Sequence, residues 1–176
     1  MKTLLRMALL LSVASVIFAA GDVVSAIHGT VDKIDSTSKT VVVKTADGTK
    51  HTLHFADDTV VHGADATATG ATDSWHGITK GSDVVAHYTA RGADKSAVEI
   101  DRVGKGGLDV TKGTVKSIDR GGKKLIVDTG HGTEKAFDLT GHAATDAGKG
   151  VVKGSKVVVY SAKDSGKDVA HFFEHM

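Results

Sequence analysis

The chain has 176 residues, with 22 Lys and Arg against 21 Asp and Glu, ten histidines, 21 glycines and no Cys, Pro, Asn or Gln. Without cysteine there is no disulfide framework, no lipid-bearing thiol and no thiol nucleophile. Balanced charge makes nucleic acid an unlikely partner, since such binders carry a basic excess to neutralise phosphates, and no polybasic run is present for anionic lipid.

The N-terminal segment has the layout of an export signal. Lys2 and Arg6 precede an apolar run from Met7 to Ala20, and small residues follow. The run is shorter than the roughly twenty residues a membrane helix needs. Cleavage after Ala26, with Val24 and Ala26 at the small-residue positions, is preferred over cleavage after Ala20. Losing residues 1–26 removes Lys2, Arg6 and Asp22 and leaves 20 basic and 20 acidic residues in a chain of 150. A periplasmic or secreted protein without a membrane span is expected.

The rest of the chain is organised by a repeat. Gly29 to Thr49 (GTVDKIDSTSKTVVVKTADGT) and Gly113 to Thr133 (GTVKSIDRGGKKLIVDTGHGT) match at ten of twenty-one positions without a gap. From Ile27 the apolar period is near two. The parity changes between Val31 and Ile34, and again between Val115 and Ile118, which predicts a bulged or bent first strand with glycine at the bend. Thr40 to Lys44 and Lys50 to Phe55 are expected to form a hairpin around Asp47-Gly48, matched in the second copy at His131-Gly132. Val60 and Val61 start a short fourth strand. Gly63 to Ser74 lacks any period and reads as a surface loop; the stretch between the two shared signatures that contains it is eleven residues longer than in the second copy, where the counterpart is Gly141 to Gly150.

A second shared signature, Lys80-Gly81-Ser82 and Lys153-Gly154-Ser155, introduces a fifth strand from Asp83 and a closing hairpin to a sixth, Ala97 to Arg102. Its counterpart ends in Val169 to Phe173. The predicted organisation is a signal over residues 1–26, a first β-barrel over 27–103, a Gly-rich linker over 104–109 and a second barrel over 110–176. The fold class is all-β: two tandem small barrels of five or six strands, OB-like or SH3-like. The GTV-x-x-ID opening, glycine hairpin and later glycine-led strand pair resemble an uncharacterised family of exported bacterial domains. That resemblance implies a small barrel without an assigned catalytic residue.

Histidine is the composition signal that can carry chemistry, because imidazole binds zinc, copper and nickel. The long loop and its exit offer His62, Asp65, Asp73 and His76 as ligands for a divalent ion. Trp75 is either a stacking platform for a sugar or base or, preferably, a plug at the bottom of its barrel. His171-Phe172-Phe173-Glu174-His175 spells the inverted-zincin string H-x-x-E-H, but that motif works on a helix and this segment reads as a strand. On a strand His171 and His175 would share a face with Phe173 and offer weak metal capture. No nucleophile elbow, Walker loop or dinucleotide fingerprint occurs. The expected role is a non-enzymatic binding or interaction module for an unidentified protein or small molecule. Divalent metal binding is the alternative. Oligosaccharide or single-strand nucleic-acid binding comes third, disfavoured by few aromatics and by balanced charge.

Overall fold

A computed structural model of the chain describes residues 24–56, 59–63 and 74–176, the side chains of Ser74 and Trp75 excepted. The first half contains β1 (Val24–Asp35), β2 (Thr40–Lys44), β3 (Lys50–His54), β4 (Val60–His62), β5 (Ser74–Trp75), β6 (Ile78–Thr79), β7 (Asp83–Arg91) and β8 (Asp94–Arg102). The second contains β9 (Asp109–Asp119), β10 (Lys124–Asp128), β11 (Glu134–Leu139), α1 (Gly141–Asp146), β12 (Lys156–Asp164) and β13 (Lys167–His175). Among the described residues the fold is all-β apart from one short helix.

The second sheet is a closed five-stranded barrel in the order β10-β11-β13-β12-β9. The first has the order β3-β2-β1-β7-β8-β4, and it closes through the single parallel pair His54↔Ser96 between β3 and β8. Matched strand for strand, the two share one connectivity, including a parallel contact between third and fifth strands. This is the closed OB-like arrangement, which leaves few unpaired edges. Val31, Ile34, Val41, Val43, Leu53, Ile78, Val84 and Ile100 fill the first barrel. Val115, Leu125, Val127, Phe137, Val157, Val159 and Phe173 fill the second.

The parity changes in the two first strands are bulges. Asp32 is the extra residue between the pairs Val31↔Val43 and Lys33↔Val42, and Lys116 is the extra residue between Val115↔Val127 and Ser117↔Ile126. Each bulge residue forms an ion pair, Asp32 with Lys50 at 2.8 Å and Lys116 with Glu134 at 3.2 Å. The charge reversals between copies are therefore compensated swaps. Glycine is needed just ahead of each bulge. A Cβ on Gly29 would collide with the carbonyl of Lys44, and one on Gly113 with the carbonyl of Asp128 and the Val127 side chain.

Three local features differ from expectation. β1 starts at Val24, ahead of the boundary expected at Ala26, and Val24 to Ala26 pair with Thr89 to His87 of β7. The expected short loop after β11 contains α1, because the Thr140 hydroxyl caps the Ala143 N–H and Ala143 and Ala144 are buried. The linker is a folded turn. Leu108 N–H bonds to the Arg102 carbonyl and its side chain enters the second barrel's core. The barrels therefore touch.

Gly113→Ala is expected to lower stability by about 1–3 kcal/mol through overpacking. Ala at Gly130, where a Cβ meets nothing but φ is +105°, isolates the backbone cost from the collision. Urea unfolding of both variants measures the difference.

Candidate metal centre between the barrels

The outward face of β7 and β8 is where the first barrel meets the second. Cross-strand pairing puts Val85 beside Asp101 and His87 beside Glu99, and parallel pairing of β4 with β8 puts His62 beside Asp101. Side chains alternate along a strand, so Glu99 and Asp101 project together while Ile100 points into the first barrel's core. The second barrel answers with Tyr160 and Phe172, both buried, and with His171. His171 is the extra residue of a bulge between Tyr160↔Phe172 and Ser161↔Ala170. The bulge reverses the alternation, so Phe173 is buried in its own barrel while His171 faces Asp101 of the other. The expectation that His171 and Phe173 share a face fails for that reason.

Four side chains converge here. His171 Nδ1 lies 3.0 Å from Asp101 Oδ2 and 3.6 Å from Glu99 Oε1, and His62 Nε2 lies 3.3 Å from Glu99 Oε1. His62, Glu99 and Asp101 each offer a ligand atom, and these atoms lie within 4.8 Å of one another. Ligands of a tetrahedral zinc with bonds near 2.0–2.1 Å stand about 3.3–3.4 Å apart, so the spacings suit such an ion. Asp101 is 0 % exposed, and its Oδ1 has no hydrogen-bond partner among the described residues. A pocket of about 400 Å³ bounded by Gly63, Arg102, Leu108 and Lys163 opens onto His62 and His171.

The electrostatics centre on His171. Burial alone would lower its pKa, but hydrogen bonds to Asp101 and Glu99 and the charge of both carboxylates lift it to about 9. Glu99 is lowered, first by the hydrogen bond from His171 and against its own burial. His171 is therefore held as a cation against two acidic side chains in a largely dehydrated space.

A second polar contact crosses the same interface. His28 Nε2 meets Asp83 Oδ1 at 2.9 Å, and the Tyr160 hydroxyl donates to Glu174 Oε1 at 2.9 Å. Tyr160 also lies 3.0 Å from His28 Nδ1, with the rings 4.6 Å apart. Burial lowers the His28 pKa, but the hydrogen bond to Glu174 and the charges of Asp83 and Glu174 leave it raised overall. Burial raises Glu174, and hydrogen bonds from His28 and Tyr160 leave it lowered overall.

Of the residues expected to bind metal, His62 and His171 meet in this cluster, although they were assigned to separate loop and tail sites. His76 is exposed at the turn between β5 and β6, with φ +47°. His175 is exposed at the end of β13. Asp65, Asp73 and the Trp75 side chain lie outside the described residues. Glu99 and Asp101 were not singled out. The signal for them was two acids at i and i+2 on a predicted strand.

No protein-family model and no curated protein matches the chain. Among solved structures it is similar to silver-bound CusF from Escherichia coli, residues 10–88. That match has 18 % identity over 47 % of this chain and 95 % of that one, at a TM-score of 0.35. A second Ag(I)CusF crystal structure matches at 17 % identity over 46 % and 97 %, at a TM-score of 0.34. No helix among the described residues is long and apolar enough to cross a membrane.

The His28 pair sets a pH window for stability. A raised His28 stabilises fully below its ordinary 6.5 and loses that contribution as pH rises through its folded value. A lowered Glu174 stabilises above its ordinary 4.5 and loses that contribution as pH falls through its folded value. The stability difference between wild type and His28→Ala should be largest from about pH 4.5 to 6.5 and shrink on both sides. Chemical denaturation of both proteins from pH 3 to 9 checks it.

Proposed function

We propose that the protein is an exported, non-enzymatic binding module whose ligand is a divalent metal ion of the zinc, copper and nickel class. His62, Glu99 and Asp101 would hold the ion, with His171 as a fourth donor. One observation carries the reading: a fully buried carboxylate with an unpartnered oxygen shares a cluster with a second carboxylate and two imidazoles.

Charge supports it. Two carboxylates and two neutral imidazoles around a dication have no net charge, so a metal that displaces the His171 proton would leave a neutral cluster in the buried space. The donors are nitrogen and oxygen, without sulfur, which favours borderline divalent ions over soft monovalent ones. Export is supported by the charged start, apolar run and small residues of the N-terminal segment.

Oligosaccharide or single-strand nucleic-acid binding has less support. The OB-like ligand face on the second and third strands carries Thr40, Val42, Lys44, Lys50, Thr52 and His54 in one barrel. In the other it carries Lys124, Ile126, Asp128, Glu134, Ala136 and Asp138. Neither face presents Phe, Tyr or Trp, and the His54 imidazole is the one ring among the residues named on them.

Calorimetry on protein purified without a tag is expected to show zinc, copper or nickel binding in the micromolar range. Glu99→Gln and His62→Ala should each weaken it about tenfold or more, while the exposed turn variant His131→Ala leaves it unchanged. No binding of any of the three up to millimolar metal would overturn the reading.

A further inference from the structure

A second cluster of ligand-type residues spans the barrels about one strand away. His87, 1 % exposed on β7, faces His142 and Asp146, which are four residues apart on one side of α1. Each offers one ligand atom, and these atoms lie within 4.8 Å of one another. His142 Nδ1 and Asp146 Oδ2 are 3.6 Å apart, close to the edge of a tetrahedral zinc site. The His87 and His142 rings have centroids 5.4 Å apart.

Two orphaned atoms point to a ligand. His87 Nδ1 and Asp146 Oδ2 are both buried without a hydrogen-bond partner among the described residues. The Asp146 side chain is only 8 % exposed. Buried polar atoms normally find partners, and two orphans in one three-residue cluster need a common explanation.

The surrounding chain holds the donors in place. Thr140 caps the start of α1, and Arg120 donates to the Ala144, Ala147 and Gly148 carbonyls at its end while its guanidinium lies 5.4 Å from the Phe173 ring centroid. His87 is set by its pairing with Glu99 in the β7–β8 ladder and by an edge contact with Phe172 at 6.4 Å. A surface depression bordered by Ser25, Tyr88, Gly148 and Lys149 reaches Asp146 and supplies an entry path.

We infer that His87, His142 and Asp146 form a second divalent-metal site, structural in role, that clamps α1 of the second barrel to β7 of the first. Its three protein ligands leave one position for water. The site shares no residue with the one on His62, Glu99 and Asp101.

The test is zinc stoichiometry and thermal stability of the full chain. Wild type should bind two equivalents. The double variant His62→Ala/Glu99→Gln should keep one equivalent and a zinc-induced rise in Tm. Adding His142→Ala, a partly exposed position, should abolish both. Because Asp146 and His87 are buried, the wild-type protein provides a second readout. Zinc should shift the imidazole resonances of His87 and His142 in heteronuclear NMR. If the double variant binds no zinc and those resonances do not move, the inference is overturned. If zinc binding survives His62→Ala/Glu99→Gln unchanged from wild type but is lost on His142→Ala, this site stands and the first reading fails.

Discussion

The fully buried carboxylate of Asp101 is the constraint on which the two-barrel structure depends. A carboxylate removed from water costs several kcal/mol unless a hydrogen-bonded opposite charge compensates it, and here the compensation comes from the other barrel. Docking of the barrels and burial of Asp101 are thus one problem. If the second barrel leaves, Asp101 loses His171 but regains water. If His171 is lost while the barrels stay together, the buried carboxyl group beside Val85 loses the partner that compensates it. Apolar side chains of similar volume usually serve stability as well as a buried ion pair does. A cluster of Asp101, Glu99, His62 and His171 therefore calls for an explanation in chemistry as well as in packing.

The two halves keep one interior and present different outward faces. Aligning the Lys-Gly-Ser signatures equates Val84 with Val157, Ala86 with Val159 and Ile100 with Phe173, all buried. The outward positions in the same strands equate His87 with Tyr160, Glu99 with Phe172, Asp101 with Glu174 and Val98 with His171. Such divergence lets one face supply acids and the other supply aromatic rings and a histidine, so the pair is complementary where two identical faces would repel. Around the bulges the copies changed together instead, exchanging an Asp32–Lys50 pair for a Lys116–Glu134 pair.

Local chemistry made much of the framework legible in the sequence. Period-two alternation located the strands, Asp47-Gly48 located a hairpin, and the parity change between Val31 and Ile34 located a bulge, because each effect acts over a few residues. The helix α1 was missed. Its six residues are too few to display a 3.6-residue period, and only Thr140 marks its start. The cluster was half visible. His62 and His171 stood out by residue type, yet their meeting requires both the parallel β4–β8 pairing and the docking of two barrels. No residue spacing encodes either. Glu99 and Asp101 lie at i and i+2 on a predicted strand, a pattern that solvated outward acids share, so spacing does not distinguish them.

The interface has a consequence for how metal and architecture are coupled. In both clusters the candidate ligands come from both barrels: His62, Glu99 and Asp101 with His171, and His87 with His142 and Asp146. A cation bound at either place favours the docked arrangement by its differential affinity for it, so the two sites are linked through one equilibrium even without shared residues. Like-charge repulsion between the cations opposes that linkage, and cross-strand pairing of His87 with Glu99 keeps the sites near enough for it to act. The carboxylate of Glu99, a member of the first cluster paired with His87, would moderate the repulsion. Ordering of the interface is completed when one site fills, which lowers the cost of filling the other. Where the barrels already dock through His28, Tyr160 and Glu174, little ordering remains to be shared, and repulsion then decides the sign of the coupling.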